Sequence, residues 1–320
     1  MKLVLGTVQF GMDYGIQGGR RPKEKDVEEI LSYAADHGIH YFDSASAYGN
    51  AEKVVGNYIR HQTDRADQMK IISKLSASAL REIPTNAWRH AVLRNAEESI
   101  NALGIQQLKA YLFHDASCIY DQEAVKALAS VVDAGLAEKA GVSIYSPEEA
   151  VKALEYEEIR VIQIPYNVFD QRLDQCGFFE KARQRQVEVY ARSSLLQGLA
   201  MMDPDNLPGR VRFAAGYVRK FHRICREYNV SPLRGAVGYV LTHSGIDYVV
   251  FGVDNKRQLM EYISMQEEGI PMEMKDALRN EFADVEERLV NPVLWDKPVF
   301  DAGKSTIKQS VENEQLKVRN

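Results

Sequence analysis

Apolar and polar positions alternate along the chain with two different periods. Short apolar runs such as KLVLGT at 2–7 read as buried strands, and longer charged stretches with apolar positions three and four apart read as amphipathic helices. In KEKDVEEILSYAAD at 23–36, Val27, Ile30, Leu31 and Ala34 form one apolar face, and Gly38 stands just beyond it as a stop. The strand HYFD follows and ends on Asp43. The same alternation predicts helices over 51–60, 86–103, 121–134, 147–154 and 178–185, with strands over 70–74, 108–113, 139–142, 161–164 and 187–190. A helical stretch over 211–228 precedes a last apolar strand at 248–251, which leads into a helix through 258–263.

The count of about eight strand–helix units predicts an α/β fold of the (β/α)8 TIM-barrel type, a closed parallel barrel with its active site at the C-terminal ends of the strands. The length of 320 residues alone admits one domain or two, but no linker or low-complexity segment divides the chain. A single barrel domain, C-terminal helices included, is therefore expected over 1–300, and 301–320 is expected to be a polar, mobile tail. The loop at 198–209, with two prolines and two aspartates, is expected on the strand C-terminal face.

Composition narrows the function classes. With 45% hydrophobic and 27% charged residues, the chain can bury a large core, and its net charge of −5 offers no broad attraction for nucleic acid or an anionic membrane. Cys118, Cys176 and Cys225 lie far apart without a CxxC pair, so neither a disulfide framework nor a metal site is suggested. The N-terminus lacks a secretory apolar stretch, and no apolar run reaches membrane-spanning length. These features together point to a cytoplasmic protein that handles a small molecule.

In a barrel, polar residues at strand C-termini are the informative ones. Asp43, Lys74 and His114 end the second, third and fourth predicted strands, and Tyr48 follows in the loop DSASAYGNAE, where Gly49 permits a tight turn. Each has an ordinary explanation alone: a helix cap, a solvated strand end, loop packing, a satisfied rim histidine. Together they suit hydride transfer. Hydride arriving at a carbonyl carbon leaves charge on oxygen, which a proton donor and aimed hydrogen bonds stabilise. Tyr48 is then general acid in reduction and base in oxidation, Lys74 depresses its pKa, Asp43 anchors Lys74, and His114 orients the carbonyl.

The segments FDSASAYGNAE, IISKL, ESINALGIQQLKAYLFHD, GVSIYS, IQIPYNVFD, SSLLQG and FGVDNKRQLMEY resemble the aldo-keto reductase family over roughly nine tenths of the chain. The resemblance implies a barrel that binds a nicotinamide cofactor without a Rossmann domain. It implies NADPH, with NADH open, and a carbonyl or alcohol substrate: an aldehyde or ketone, sugars included. By motif, Ser143 and Gln163 match positions that hydrogen-bond the nicotinamide carboxamide. Ser194, Leu195 and Gly198 match the segment near the pyrophosphate, and Gly252, Val253, Asp254, Gln258 and Glu261 match the segment that holds the adenosine end.

Several positions depart from the family pattern. Ile144 and Tyr262 stand where Asn is usual, and Ser194 where Pro is expected. Arg192, also assigned to the cofactor region, replaces an aromatic that stacks on nicotinamide; it either favours an anionic ligand or pairs with a rim carboxylate. Asp254 would repel a 2′-phosphate, and Lys256 and Arg257 could offset it. Substrate loops are expected at 11–19, 76–88, 115–120 and 201–210, with Met12, Tyr14, Trp88 and Phe169 as pocket candidates. Two other functions compete: a cofactor-binding regulatory or partner subunit on the same barrel, and a sugar hydrolase, which would need two carboxylates flanking the scissile bond.

Overall fold

A computed structural model describes residues 2–16, 18–62, 68–265 and 269–296. The chain opens with β1 (Lys2–Gly6), α1 (Val8–Gly11), α2 (Glu24–Asp36), β2 (Tyr41–Asp43), α3 (Ala51–Arg60) and β3 (Lys70–Leu75). It continues through α4 (Trp88–Leu103), β4 (Ala110–Phe113), α5 (Gln122–Asp133), β5 (Ala140–Ser143), α6 (Pro147–Ala153) and β6 (Ile159–Pro165). Then come α7 (Phe178–Gln184), β7 (Glu188–Arg192), α8 (Ala215–Glu227), α9 (Pro232–Leu241) and β8 (Tyr248–Gly252). Helices α10 (Lys256–Ser264), α11 (Met272–Glu281) and α12 (Glu287–Val290) follow. The strands close in chain order into one parallel barrel, β8 pairing back onto β1. Among the described residues no helix is long and apolar enough to cross a membrane.

The two-residue period of the strands sorts their side chains into two cores. Val4, Ile72, Ala110, Leu112, Val161, Tyr190, Tyr248 and Val250 point inward and fill the barrel. The alternate positions pack outward against the helices. Near the strand N-termini, Tyr190 and Tyr248 stack at 4.1 Å with Tyr41 beside them, and the Lys2 ammonium lies 5.1 Å from the Tyr41 ring, so aromatic rings plug this end. Two residues beyond the packed interior, the same inward face carries Asp43 after Tyr41, Lys74 after Ile72, Gln163 after Val161 and Arg192 after Tyr190. The alternation that packs the barrel thus lifts polar groups to its open rim.

The expected elements differ from the observed ones mainly at their ends. The helix expected over 86–103 starts with a 3-10 turn at Thr85–Ala87, and the stretch over 211–228 divides into a 3-10 turn at Gly209–Ala214 and α8. Leu108, expected in a strand, makes only an isolated bridge to Ala137, and β4 begins at Ala110. Helix α9 was not anticipated as a separate element. Ser231 caps it and Pro232 occupies its first turn, but positions 235–240 are all buried, so no polar face marks the period. The tail at 301–320 lies outside the described residues.

Candidate active site

At the rim, Lys74 is fully buried and its ammonium donates to both Asp43 oxygens, at 2.7 and 2.8 Å, and to the Ser44 carbonyl at 2.9 Å. Gln163, from β6, adds its own amide to Asp43 Oδ1 at 2.7 Å. Burial pulls Lys74 below the ordinary ammonium range, and the Asp43 carboxylate opposes that shift. The Tyr48 loop is tied to the same strand end, because Ser46 donates its hydroxyl to the Lys74 carbonyl at 3.1 Å.

The turn at Tyr48 rests directly on backbone. A Cβ at Gly11, the last residue of α1, would fall 1.8 Å from the Tyr48 carbonyl, and one at Gly49, whose φ is +59°, would fall 2.5 Å from the Gly11 carbonyl. Held there, the Tyr48 ring meets His114 edge-on at 5.5 Å between centroids, with the Lys74 ammonium 5.1 Å from its centre. Burial pushes the Tyr48 hydroxyl well above its ordinary pKa, the Asp43 carboxylate adds to the rise, and Arg192 opposes it. This corrects the expectation that Lys74 depresses it: the ammonium's charge is largely matched by Asp43, so desolvation decides. Burial, and then the Lys74 charge, push His114 down to about 4, so its imidazole is neutral at neutral pH.

A cavity of about 670 Å³ opens over these groups. Its lining takes in Asp43, Tyr48, His114, Ser143, Gln163 and Arg192 at or after the ends of β2 and β4 to β7, Ser194, Leu195 and Gly198 from the loop after β7, and Gly252, Asp254, Gln258 and Glu261 from the end of β8 through α10. Val253 does not line it, because its side chain is fully buried in the core, which corrects its inclusion among the ligand contacts. Of the four pocket candidates only Tyr14 lines the cavity. Phe169 packs between Phe221 and Phe282, Met12 faces solvent, and Trp88 starts α4 outside the lining. Sequence reasoning missed Gln9, Tyr145, Ser193 and Gln197, of which the last three stand inside or beside recognised motifs.

Two expected loops meet across the mouth. Ile16 donates its amide to the Gln197 carbonyl at 3.4 Å, and Arg210 donates to the Ile16 carbonyl at 2.9 Å. Ser193, Leu196 and Gln197 hold φ of +64°, +47° and +55°, a cluster of left-handed non-glycine backbone of which Ser193 and Gln197 line the cavity.

The departures from the family pattern have local explanations. Arg192 donates to the Ile144 carbonyl at 3.0 Å and to Ser193 at 3.3 Å, with its guanidinium carbon 4.4 Å from the Tyr145 ring centre. Among the described residues no carboxylate pairs with it, which removes the rim-pair alternative. The Ile144 side chain is core, so its backbone rather than its side chain serves the site. Tyr262 stacks on Phe251 at 4.3 Å and is buried, so its side chain serves the core.

The lining fits a nicotinamide dinucleotide. Ser143 and Gln163 are register partners on adjacent strands, so a hydroxyl and an amide stand side by side. Gln9 Oε1 is buried without a donor, and its amide lies against Gly252, where a Cβ would come within 2.3 Å of it. A second cavity, of about 900 Å³, lies by the N-terminal ends of β7 and β8. Its His243 and the neighbouring Tyr166 both spend their polar atoms on Asp174, at 3.1 and 3.0 Å, which reads as structural knitting.

The model of the Aldo/keto reductase family matches residues 2–279. The chain is 24% identical to the aldo-keto reductase YhdN of Bacillus subtilis (strain 168), over 81% of this chain and 82% of that one. It is 22% identical to a pyridoxal 4-dehydrogenase of Microbacterium luteolum, over 87% and 93%. Among solved structures, the thermostable aldo-keto reductase Tm1743 superposes with a TM-score of 0.64 at 22% identity, covering 87% of this chain and 94% of that one.

Proposed function

The chain belongs to the aldo/keto reductase family and is an NAD(P)H-dependent oxidoreductase, and on that premise we propose that it interconverts an aldehyde or ketone, sugars included, with its alcohol, using Tyr48 as proton donor. The observation that carries this reading is Tyr48 set edge-on to His114, 5.5 Å between ring centroids, above the buried Lys74–Asp43 pair.

The bound cofactor supplies the hydride, and either NADPH, which the resemblance implies, or NADH would do so. We assign its amide end to Ser143 and Gln163, its middle to Ser194, Leu195 and Gly198, and its far end to Gly252, Asp254, Gln258 and Glu261. Tyr48 and His114 hydrogen-bond the carbonyl oxygen. As charge builds on that oxygen, the Tyr48 proton moves to it, and Arg192, whose charge opposes the rise at Tyr48, steadies the phenolate left behind. Oxidation of the alcohol runs the same proton backwards.

The test is to follow NADH and NADPH oxidation with a panel of aldehydes, ketones and aldoses, beside Tyr48→Phe. Turnover by the variant should fall about 10²- to 10⁴-fold while dinucleotide binding persists. Equal turnover would remove Tyr48 from the reaction. Dinucleotide binding without turnover of any carbonyl would favour a regulatory or partner subunit instead.

A further inference from the structure

Two parts of the cavity lining differ in charge. Around the catalytic groups Asp43 matches Lys74, His114 is neutral, and Arg192 is the one Lys or Arg in the described lining. The part around α10 presents the carboxylates of Asp254 and Glu261; Arg257 matches Glu261, and Asp254 has no cation partner in the lining.

The two cations that the sequence offers beside Asp254 are engaged elsewhere. Lys256 places its ammonium 4.9 Å from the Tyr33 ring centre, and Arg257 pairs with Glu261 at 3.2 Å. Two amides beside the start of α10 are also engaged: Asp254 N–H donates to Gln258 Oε1 at 2.8 Å, and Gln258 N–H donates to the Asn255 side chain at 3.0 Å. An arriving phosphate would meet the Asp254 carboxylate with no lysine or arginine beside it in the cavity lining to offset it. Gly19 of the loop across the mouth sits over Asp254, since a Cβ there would lie 3.7 Å from Oδ1; on that side protein replaces screening water.

A hydride donor must present its reactive ring beside Tyr48, and a dinucleotide is too long to remain there, so by the assignment proposed above its second nucleoside reaches the residues around Asp254. We infer that the enzyme selects NADH over NADPH, with Asp254 accepting a hydrogen bond from the adenosine ribose. A 2′-phosphate at that position brings charge of about −1.5 to −2 against a carboxylate. The inference rests on the NAD(P)H reading above and departs from the NADPH that the family resemblance implies.

Calorimetric titration of the full chain with NADH and with NADPH, at low and at high salt, tests it. NADH should bind at least about tenfold more tightly, with the gap narrowing as salt screens the repulsion. Asp254→Ser should shrink the ratio by about tenfold, mainly by tightening NADPH. NADPH binding as tightly as NADH in the unaltered protein, or a ratio unmoved by Asp254→Ser, overturns the selectivity and leaves the oxidoreductase reading standing. Binding of neither dinucleotide overturns both.

Discussion

Gln163 donates its amide to Asp43 across the top of the barrel, Nε2 to Oδ1 at 2.7 Å, on the same oxygen that receives Lys74. This bond fixes which way the amide faces: with the nitrogen committed to Asp43, the oxygen is left to accept from a ligand. A residue matched by motif to the cofactor thus also supports the catalytic carboxylate. Gln163→Leu should cost about 1–3 kcal/mol in a urea melt and weaken dinucleotide binding, because a buried carboxylate loses a donor. A melt indistinguishable from the parent would show that the bond is idle.

Breaking the buried pair should be worse than removing it. Asp43→Asn leaves Lys74 charged and unmatched, at an expected cost of about 3–5 kcal/mol. The double variant Asp43→Asn with Lys74→Met should regain much of that stability without regaining turnover. Denaturant midpoints of the three proteins, read beside their rates, check both halves.

Stability should depend on pH through His114. Its folded pKa of about 4 lies below the ordinary 6.5, so between those values the unfolded chain holds a proton that the folded chain refuses. The contribution is complete above pH 6.5 and is lost as pH falls toward 4, with a slope of at most about 1.4 kcal/mol per pH unit. His114→Gln should flatten that part of a stability–pH curve. An unchanged slope would place the imidazole in solvent.

Much of this was legible in the sequence, for reasons visible at particular positions. Runs four to six residues long marked the strands, and the strand ends marked Asp43, Lys74 and His114, because a barrel sends its inward alternation up to one rim. Direction and partnership were not legible. Nothing local to Gln163 announces Asp43, 120 residues away in sequence. Phe169 and Trp88 passed for pocket residues since aromatic character alone cannot distinguish a core from a cavity wall. The sign of the Tyr48 shift was misjudged because it depends on burial, which no single segment encodes.

Arg192 carries the unmatched positive charge beside the reacting groups. Arg192→Gln should reduce kcat/KM for carbonyl compounds that bear a carboxylate or phosphate by about 10- to 100-fold, and for neutral ones by less than about threefold. Matched pairs of substrates at one ionic strength would measure the ratio. A ratio unmoved by the substitution would make Arg192 a support for Tyr145 and the Ile144 carbonyl only.

The closing of Gly11 and Gly49 on one another bears on how such a site can diversify. A methyl group at Gly11 collides with the Tyr48 carbonyl, and one at Gly49 with the Gly11 carbonyl, so neither can change first and wait for the other to compensate. The tyrosine is therefore mounted on a part of the chain that single mutational steps can scarcely re-aim. Arg192 and Asp254 stand instead on a strand end and a loop, where one step exchanges a charge and leaves the backbone in place. Descendants of this chain would keep the chemistry and redraw its choice of ligand.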